Sequence, residues 1–142
     1  MTLEEFVKKY KGQKVDYDHA YGAQCVDLFR QYAKEALGIS EHTGPCATSG
    51  GAKDLFLDYD KMPIERKYFT RSKGNAYQPG DVLIWDKTDK NQYGHVAIFL
   101  AYLGKNGLLV FEQNGITQAG AEIQIRNRDY ILGYLRYKGG SK

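Results

Sequence analysis

Apolar residues recur at helical spacing near the start of the chain and at strand spacing towards its end. Leu3, Phe6, Val7 and Tyr10 follow Thr2 at intervals of three and four, and Glu5 stands three residues after Thr2, the pairing of a reciprocal N-terminal cap. A short amphipathic helix is predicted there. A polar stretch with Gly12, Asp16, Asp18 and Gly22 leads to a second helical pattern, Cys25, Leu28, Phe29, Tyr32, Ala33 and Ala36, which Gly38 ends. Cys25 therefore falls in the first turn of the second helix. Residues 41–51 (EHTGPCATSGG) read as loop, and residues 52–59 (AKDLFLDY) as a short third helix before Met62-Pro63 ends it. The period then changes. Residues 82–85 (VLIW), 95–103 (HVAIFLAYL), 107–113 (GLLVFEQ), 122–127 (EIQIRN) and 131–138 (ILGYLRYK) are β-branched or aromatic runs bounded by turn residues. Helices first and strands afterwards predict an α+β fold with a central antiparallel sheet. No repeat or low-complexity segment interrupts it; residues 1–138 read as one domain and 139–142 (GGSK) as a flexible tail.

Composition narrows the function classes. A chain of 142 residues, 42% hydrophobic and 26% charged, is long enough to bury one core. Its net charge of +3 comes from scattered lysines and arginines, with no basic run interleaved with aromatics, so no nucleic-acid partner is expected. No apolar run approaches the roughly 20 residues of a membrane span, and the start mixes acidic and basic residues, so neither a signal peptide nor a membrane anchor is expected. Two cysteines, Cys25 and Cys46, without a C-x-x-C, allow one bridge or two thiols. Cys46 reads as a bystander, with a bridge to Cys25 or a zinc site with His42 as the alternatives; His19 and His42 read as exposed loop residues, and Trp85 and the tyrosines mostly as core and sheet surface, one or two of them lining a groove.

His95 opens a strand directly after Gly94. Such a histidine is usually structural, but the following strand changes its meaning. Leu108, Val110, Glu112 and Asn114 share one strand face, so a carboxylate and an amide project from an otherwise apolar surface. A buried charge demands a partner. With a four-residue loop at 103–106, Asn114 lies opposite His95 and Glu112 opposite the small Ala97, which makes Glu112 a diagonal neighbour of His95 at about 7–8 Å between backbones. A cysteine at a helix start and a histidine oriented by a carboxylate are the parts of a thiol nucleophile: the helix N-terminus and an imidazolium both favour the thiolate, the attacking species. Glu112 would hold the imidazole, Asn114 would align the ring or the substrate, and the side chain of Gln24 with the backbone amide of Cys25 would face an oxyanion.

The segments YGAQCVDL, QPGDVLIWD, YGHVAIF and FEQN, in this order, resemble the CHAP domain, the cysteine, histidine-dependent amidohydrolase/peptidase module of phage endolysins and bacterial wall hydrolases. The resemblance runs from Asp16 to about Tyr137. It implies a papain-like fold, with Cys25 as nucleophile, His95 as general base and acid, Glu112 as the orienting residue and Asn114 as an assisting group. It also implies a monomer acting on peptidoglycan, either after release from the host cytoplasm in which it is made or as part of a virion. Similar phage members often carry a tryptophan before a GNAKD segment; here the stretch is Ser49-Gly50-Gly51-Ala52-Lys53-Asp54, so the groove is expected to differ on that side.

The loop before Cys25 carries a second pattern. With Asp16 as first position, Asp18 is third, Ala20 fifth, Gly22 seventh and Asp27 twelfth, the offsets from which an EF-hand loop presents oxygens to calcium. The sixth position is Tyr21 rather than glycine and the twelfth is aspartate rather than glutamate, so an Asp-rich turn is the competing reading. Some phage CHAP domains bind calcium at corresponding positions, and the resemblance therefore implies a structural or activating calcium. Three functions stay open: an N-acetylmuramoyl-L-alanine amidase or endopeptidase of Gram-positive peptidoglycan, a thiol amidase or peptidase on another amide, and a calcium-dependent wall-binding module without turnover.

Overall fold

The computed structural model describes residues 1–17, 19, 24–44, 51–115 and 119–139. Helix α1 (Leu3–Tyr10) has the predicted cap: Glu5 N donates to the Thr2 hydroxyl at 3.1 Å, and Thr2 N donates to the Glu5 carboxylate at 3.0 Å. Helix α2 (Cys25–Glu35) begins on Cys25 itself and ends just before Gly38, whose φ of 73° supplies the left-handed turn that a helix exit favours. Helix α3 (Asp54–Leu57) is shorter than the pattern suggested and passes into a 3-10 turn, Tyr59–Lys61. The helical stretch does end before Met62-Pro63, and a further helix that the pattern did not show, α4 (Pro63–Tyr68), begins on the proline. A proline's preset φ suits the first helical position, where its missing N–H has no partner to lose.

Six strands follow: β1 (Phe69–Ser72), β2 (Val82–Trp85), β3 (His95–Leu103), β4 (Gly107–Gln113), β5 (Ala121–Arg126) and β6 (Ile131–Tyr137). They form one sheet in the order β1-β6-β2-β3-β4-β5, every described pairing antiparallel. The fold is thus α+β, as the sequence predicts. Strand β1 escaped the pattern because it is four residues long with Phe69 alone fully buried; pairing with β6, rather than alternation, makes it a strand.

Both faces of the sheet are covered, which explains the uninterrupted apolar run of β2. On one face Val82, Ile84, Val96, Ile98 and Phe111 join Phe6 of α1 and Leu28, Phe29, Tyr32 and Ala33 of α2 in the main core. On the other, Leu83, Trp85, Ala97, Phe99, Leu108 and Val110 pack with Tyr77 and Tyr134.

The β3–β4 register is where sequence inference meets two compensating departures. The turn holds three residues, since Leu103 pairs with Gly107, one fewer than expected. A bulge at Leu100 then restores the count, so that Phe99 pairs with Val110 and Ile98 with Phe111. Next to the site the strands therefore run in the register the sequence suggested, with Glu112 continuing it towards Ala97.

Candidate active site

Strand pairing holds His95 on both sides. On β2, Trp85 lies directly opposite, its ring 5.6 Å from the imidazole. On β4, Glu112 reaches diagonally across, and its Oε1 lies 3.1 Å from His95 Nε2. Gly94 is required for the approach: its φ is 73°, and a Cβ there would stand 2.4 Å from the carbonyl oxygen of Trp85. Both partners are buried, Glu112 completely. Burial by itself opposes charge on the imidazole, but hydrogen bonds to Cys25 and Glu112 outweigh it and lift the His95 pKa to about 9. Burial likewise opposes charge on Glu112, and hydrogen bonds from His95 and Arg126 overcome it, bringing that carboxyl down to about 2. An imidazolium facing a carboxylate is the resting form near neutrality.

The nucleophile arrives from the other side. Cys25 carries a free, half-buried thiol at the first position of α2, and its side chain hydrogen-bonds to His95. Its position depends on polar staples from the strand that bears Glu112. Buried Gln113 accepts from Val15 N at 2.7 Å and donates to Val15 O at 2.7 Å and to Gln24 O at 2.8 Å, which ties the approach to α2 onto β4. Asn114, at a φ of 56°, donates through Nδ2 to Gln24 Oε1 at 2.9 Å. Asn114 therefore serves Gln24: it holds the amide oxygen, so that any donor Gln24 offers an oxyanion comes from its nitrogen. The Asp27 carboxylate accepts from Gln24 N at 3.0 Å and lies 3.6 Å from buried Arg30, bracing the helix start from beneath.

Three contributors went unread in the sequence. One is Gln113, adjacent to residues that were read. The second is Gly115, where a Cβ would stand 2.2 Å from Glu112 Oε2, 2.3 Å from Arg126 Nη2 and 2.8 Å from His95 Cε1, so its bare backbone closes over the cluster. The third is Arg126 on β5, whose Nε and Nη2 donate to the two Glu112 oxygens at 2.7 and 2.8 Å. The demand of a buried Glu112 for a partner was the available signal, but it pointed to His95 and nothing in residues 122–127 marked a second cation. Beside these groups opens a cavity of about 430 Å³ whose wall includes Trp85, Asp86, His95, Gly115, Arg126 and Asp129.

Of the residues at calcium offsets, Asp18, Ala20 and Gly22 lie outside the described residues, as does Cys46. Asp16 is described, and its Oδ1 is buried without a hydrogen-bond partner, an orphaned anionic oxygen of the kind a cation satisfies. No group of three His, Cys, Asp or Glu side chains suited to a metal occurs among the described residues. His19 and His42 are exposed, as predicted.

The chain is similar to known proteins. The CHAP domain family model matches residues 14–114. A D-alanyl-L-alanine endopeptidase of Streptococcus phage B30 is 33% identical over 99 residues, 69% of this chain and 21% of that protein. The chain thus spans about a fifth of this curated relative. Among solved structures, Ly7917 matches with a TM-score of 0.67 at 20% identity over 96% of this chain and 63% of its own, equally when holding the hydrolysing product of MDP. The wild-type endolysin LysIME-EF1 matches with a TM-score of 0.62 at 22% identity over 96% of this chain and 64% of its own. These structural likenesses establish the shared fold, and the family model, covering most of the chain, establishes kinship: the chain belongs to the CHAP domain family.

Proposed function

We propose that this chain hydrolyses an amide bond in the peptide portion of Gram-positive peptidoglycan through a thioester on Cys25. The observation that carries the proposal is the free thiol at the start of α2, hydrogen-bonded to a buried His95–Glu112 pair beside an open cavity. Cys25 sulfur attacks the amide carbonyl with its proton already held on His95 as the imidazolium. The carbonyl oxygen, now negative, faces the Cys25 backbone amide and the Gln24 side chain. His95 returns the proton to the departing nitrogen, the C–N bond breaks and the acyl group stays on sulfur. His95 then takes a proton from water as it attacks the thioester, and gives it back to the sulfur when the acid leaves. Glu112 keeps the imidazole oriented and offsets its charge throughout.

The bond is proposed to lie in the peptide cross-bridge, a reading supported by the name of the phage B30 relative. Calcium belongs to the same proposal: the Asp16, Asp18 and Asp27 side chains with the Ala20 and Gly22 carbonyls would hold it, and Asp27, which also engages Gln24 N and Arg30, would link the ion to the helix start. When bound, the ion supplies charge compensation to the loop and takes no part in bond making.

The test is digestion of purified walls followed by mass spectrometry of the fragments. A cross-bridge endopeptidase releases new peptide amino termini while stems remain on glycan; an amidase releases whole stems from glycan instead, which would move the scissile bond without moving the site. Clearing that persists in Cys25→Ala would overturn the thiol mechanism.

A further inference from the structure

Arg126 is more than a counterion that makes Glu112 tolerable inside the protein. It reaches over the sheet from β5, forks onto both Glu112 oxygens, and brings its Nη2 to 3.4 Å from His95 Nε2. Its guanidinium carbon lies 5.7 Å from the centre of the Trp85 ring, the same ring that flanks His95. Glu112 Oε1 is therefore shared, accepting from Arg126 Nε at 2.7 Å while facing His95 Nε2 at 3.1 Å.

We propose that Arg126 is a positioning residue of the reaction, which fixes the Glu112 carboxylate towards His95 and, by sharing its charge, keeps the imidazolium acidic enough to protonate the departing amine. The inference rests on the Cys25–His95 mechanism above. Its logic is electrostatic balance. A carboxylate devoted wholly to His95 makes a basic imidazole that takes a proton from Cys25 readily but yields it reluctantly. A cation against both groups weakens that hold, and the bidentate fork keeps both carboxylate oxygens in place while it does so.

Among the described residues, the charged and titratable surroundings of His95 can be named element by element. Helix α2 presents Cys25, β4 presents Glu112 and β5 presents Arg126, with Glu122 directly across from Glu112; β2 contributes the uncharged Trp85, and the cavity that His95 lines is also lined by Asp86, Asp129 and Tyr130. Among these, Arg126 is the cation beside the imidazole.

Two readouts on the full chain separate tuning from mere support. The first is an NMR titration of the His95 imidazole in wild type, Arg126→Met and Arg126→Lys. The second is the pH profile of wall hydrolysis in the same three proteins. Loss of the charge in Arg126→Met should move the His95 midpoint and the alkaline limb of activity upward together, by about one pH unit. Turnover should fall by about tenfold or more as the carboxylate loses its anchor. Arg126→Lys keeps the charge without the fork, so its midpoint should stay near wild type while turnover recovers in part. Slower turnover in Arg126→Met with an unmoved midpoint would make Arg126 structural and overturn the proposal. If Arg126→Met does not fold, Arg126→Lys decides: full activity or a shifted midpoint there defeats the proposal. Wall clearing that survives in Cys25→Ala would instead defeat the mechanism beneath it, a result distinguishable because the NMR titration does not depend on turnover.

Discussion

The two halves of the site are built by opposite means. His95 and Glu112 sit on neighbouring strands of a sheet buried on both faces, where register fixes their approach. Cys25 sits where a loop becomes a helix, and side chains hold it there: Gln113 on Val15 and Gln24, Asn114 on Gln24, and Asp27 on Gln24. The acid–base half is thus as rigid as the core, while the nucleophile half is as rigid as a handful of hydrogen bonds. Mutations on the first half should damage chemistry with the architecture intact, and those on the second should damage alignment, in a way that ions or temperature can modulate.

The largest effects come from removing the reacting group of each half. Cys25→Ala and His95→Ala should each reduce turnover by about 10³-fold or more, since members of a catalytic unit fail together. Cys46→Ser, the control, should keep most of the activity. Equal losses in all three, read in a wall-clearing assay, would instead tie Cys46 to the site.

Glu112→Gln should come next, lowering turnover by about 10²–10⁴-fold, the range expected when an orienting carboxylate loses its charge. Its pH signature follows from the linkage between titration and folding. His95 has a folded pKa raised to about 9 from 6.5, so its contribution to stability is complete below about 6.5 and is lost as pH rises through 9. Glu112 has a folded pKa lowered to about 2 from 4.5, so its contribution is complete above 4.5 and is lost as pH falls through 2. Wild type should therefore be most stable, as far as this pair decides, between the two windows. Denaturant melts across pH should show the acid-side loss disappear in Glu112→Gln and the alkaline-side loss shrink, because the imidazolium has lost its carboxylate. Unchanged slopes would mean that the pair does not carry the pH dependence.

The same contrast governs what the sequence revealed. Strand runs 95–103 and 107–113 were legible to the residue because alternation and turn residues are local signals, and Glu112 betrayed itself as a charge on an apolar face. Cys25 was legible from its place at the start of a helical pattern. Arg126 and Gly115 were not, because their significance lies in contacts made across strands and turns. Gln113 was hidden for another reason: by strand parity it faces away from Glu112, and its use as a staple depends on Val15 and Gln24, 98 and 89 residues earlier. The β3–β4 turn shows how a local error can leave a site intact, since the bulge at Leu100 cancels the miscounted loop.

Gln113 tests the second half directly. Gln113→Leu keeps the volume but removes the partner of Val15 N and Val15 O and one of the two donors to Gln24 O, which still accepts from Asp27 N at 3.1 Å, and each buried polar group so stranded costs about 1–3 kcal/mol. Stability should fall by about 2–4 kcal/mol in urea melts, with incomplete additivity as the loop relaxes towards water. Turnover should fall with it even at temperatures where the variant is folded, because the approach to Cys25 is no longer tied to the strand that bears Glu112. A destabilised variant with wild-type turnover would show that α2 alone holds the thiol, and would collapse the distinction between the two halves.

The smallest effect concerns the ion proposed for the loop. Asp16 keeps one carboxylate oxygen buried and unpartnered, an arrangement that is unfavourable without a cation and stabilising with one. The substitution Asp16→Asn is the informative change because it removes the charge while preserving shape. In EDTA, this variant should melt at or above the temperature of wild type, since the uncompensated charge is gone. Added calcium should raise the wild-type melting temperature by on the order of 5 °C at saturation and leave Asp16→Asn nearly unmoved. Magnesium should act more weakly, because its smaller, near-octahedral shell suits a loop of carbonyls and carboxylates poorly. Wall clearing should follow the melts by a few-fold, because the loop leads into Gln24 and Cys25 through the staples that Gln113 and Asn114 make. If wild type ignores both EDTA and calcium, Asp16 belongs to a solvated turn, and the order of the nucleophile half comes from Gln113, Asn114 and Asp27 alone.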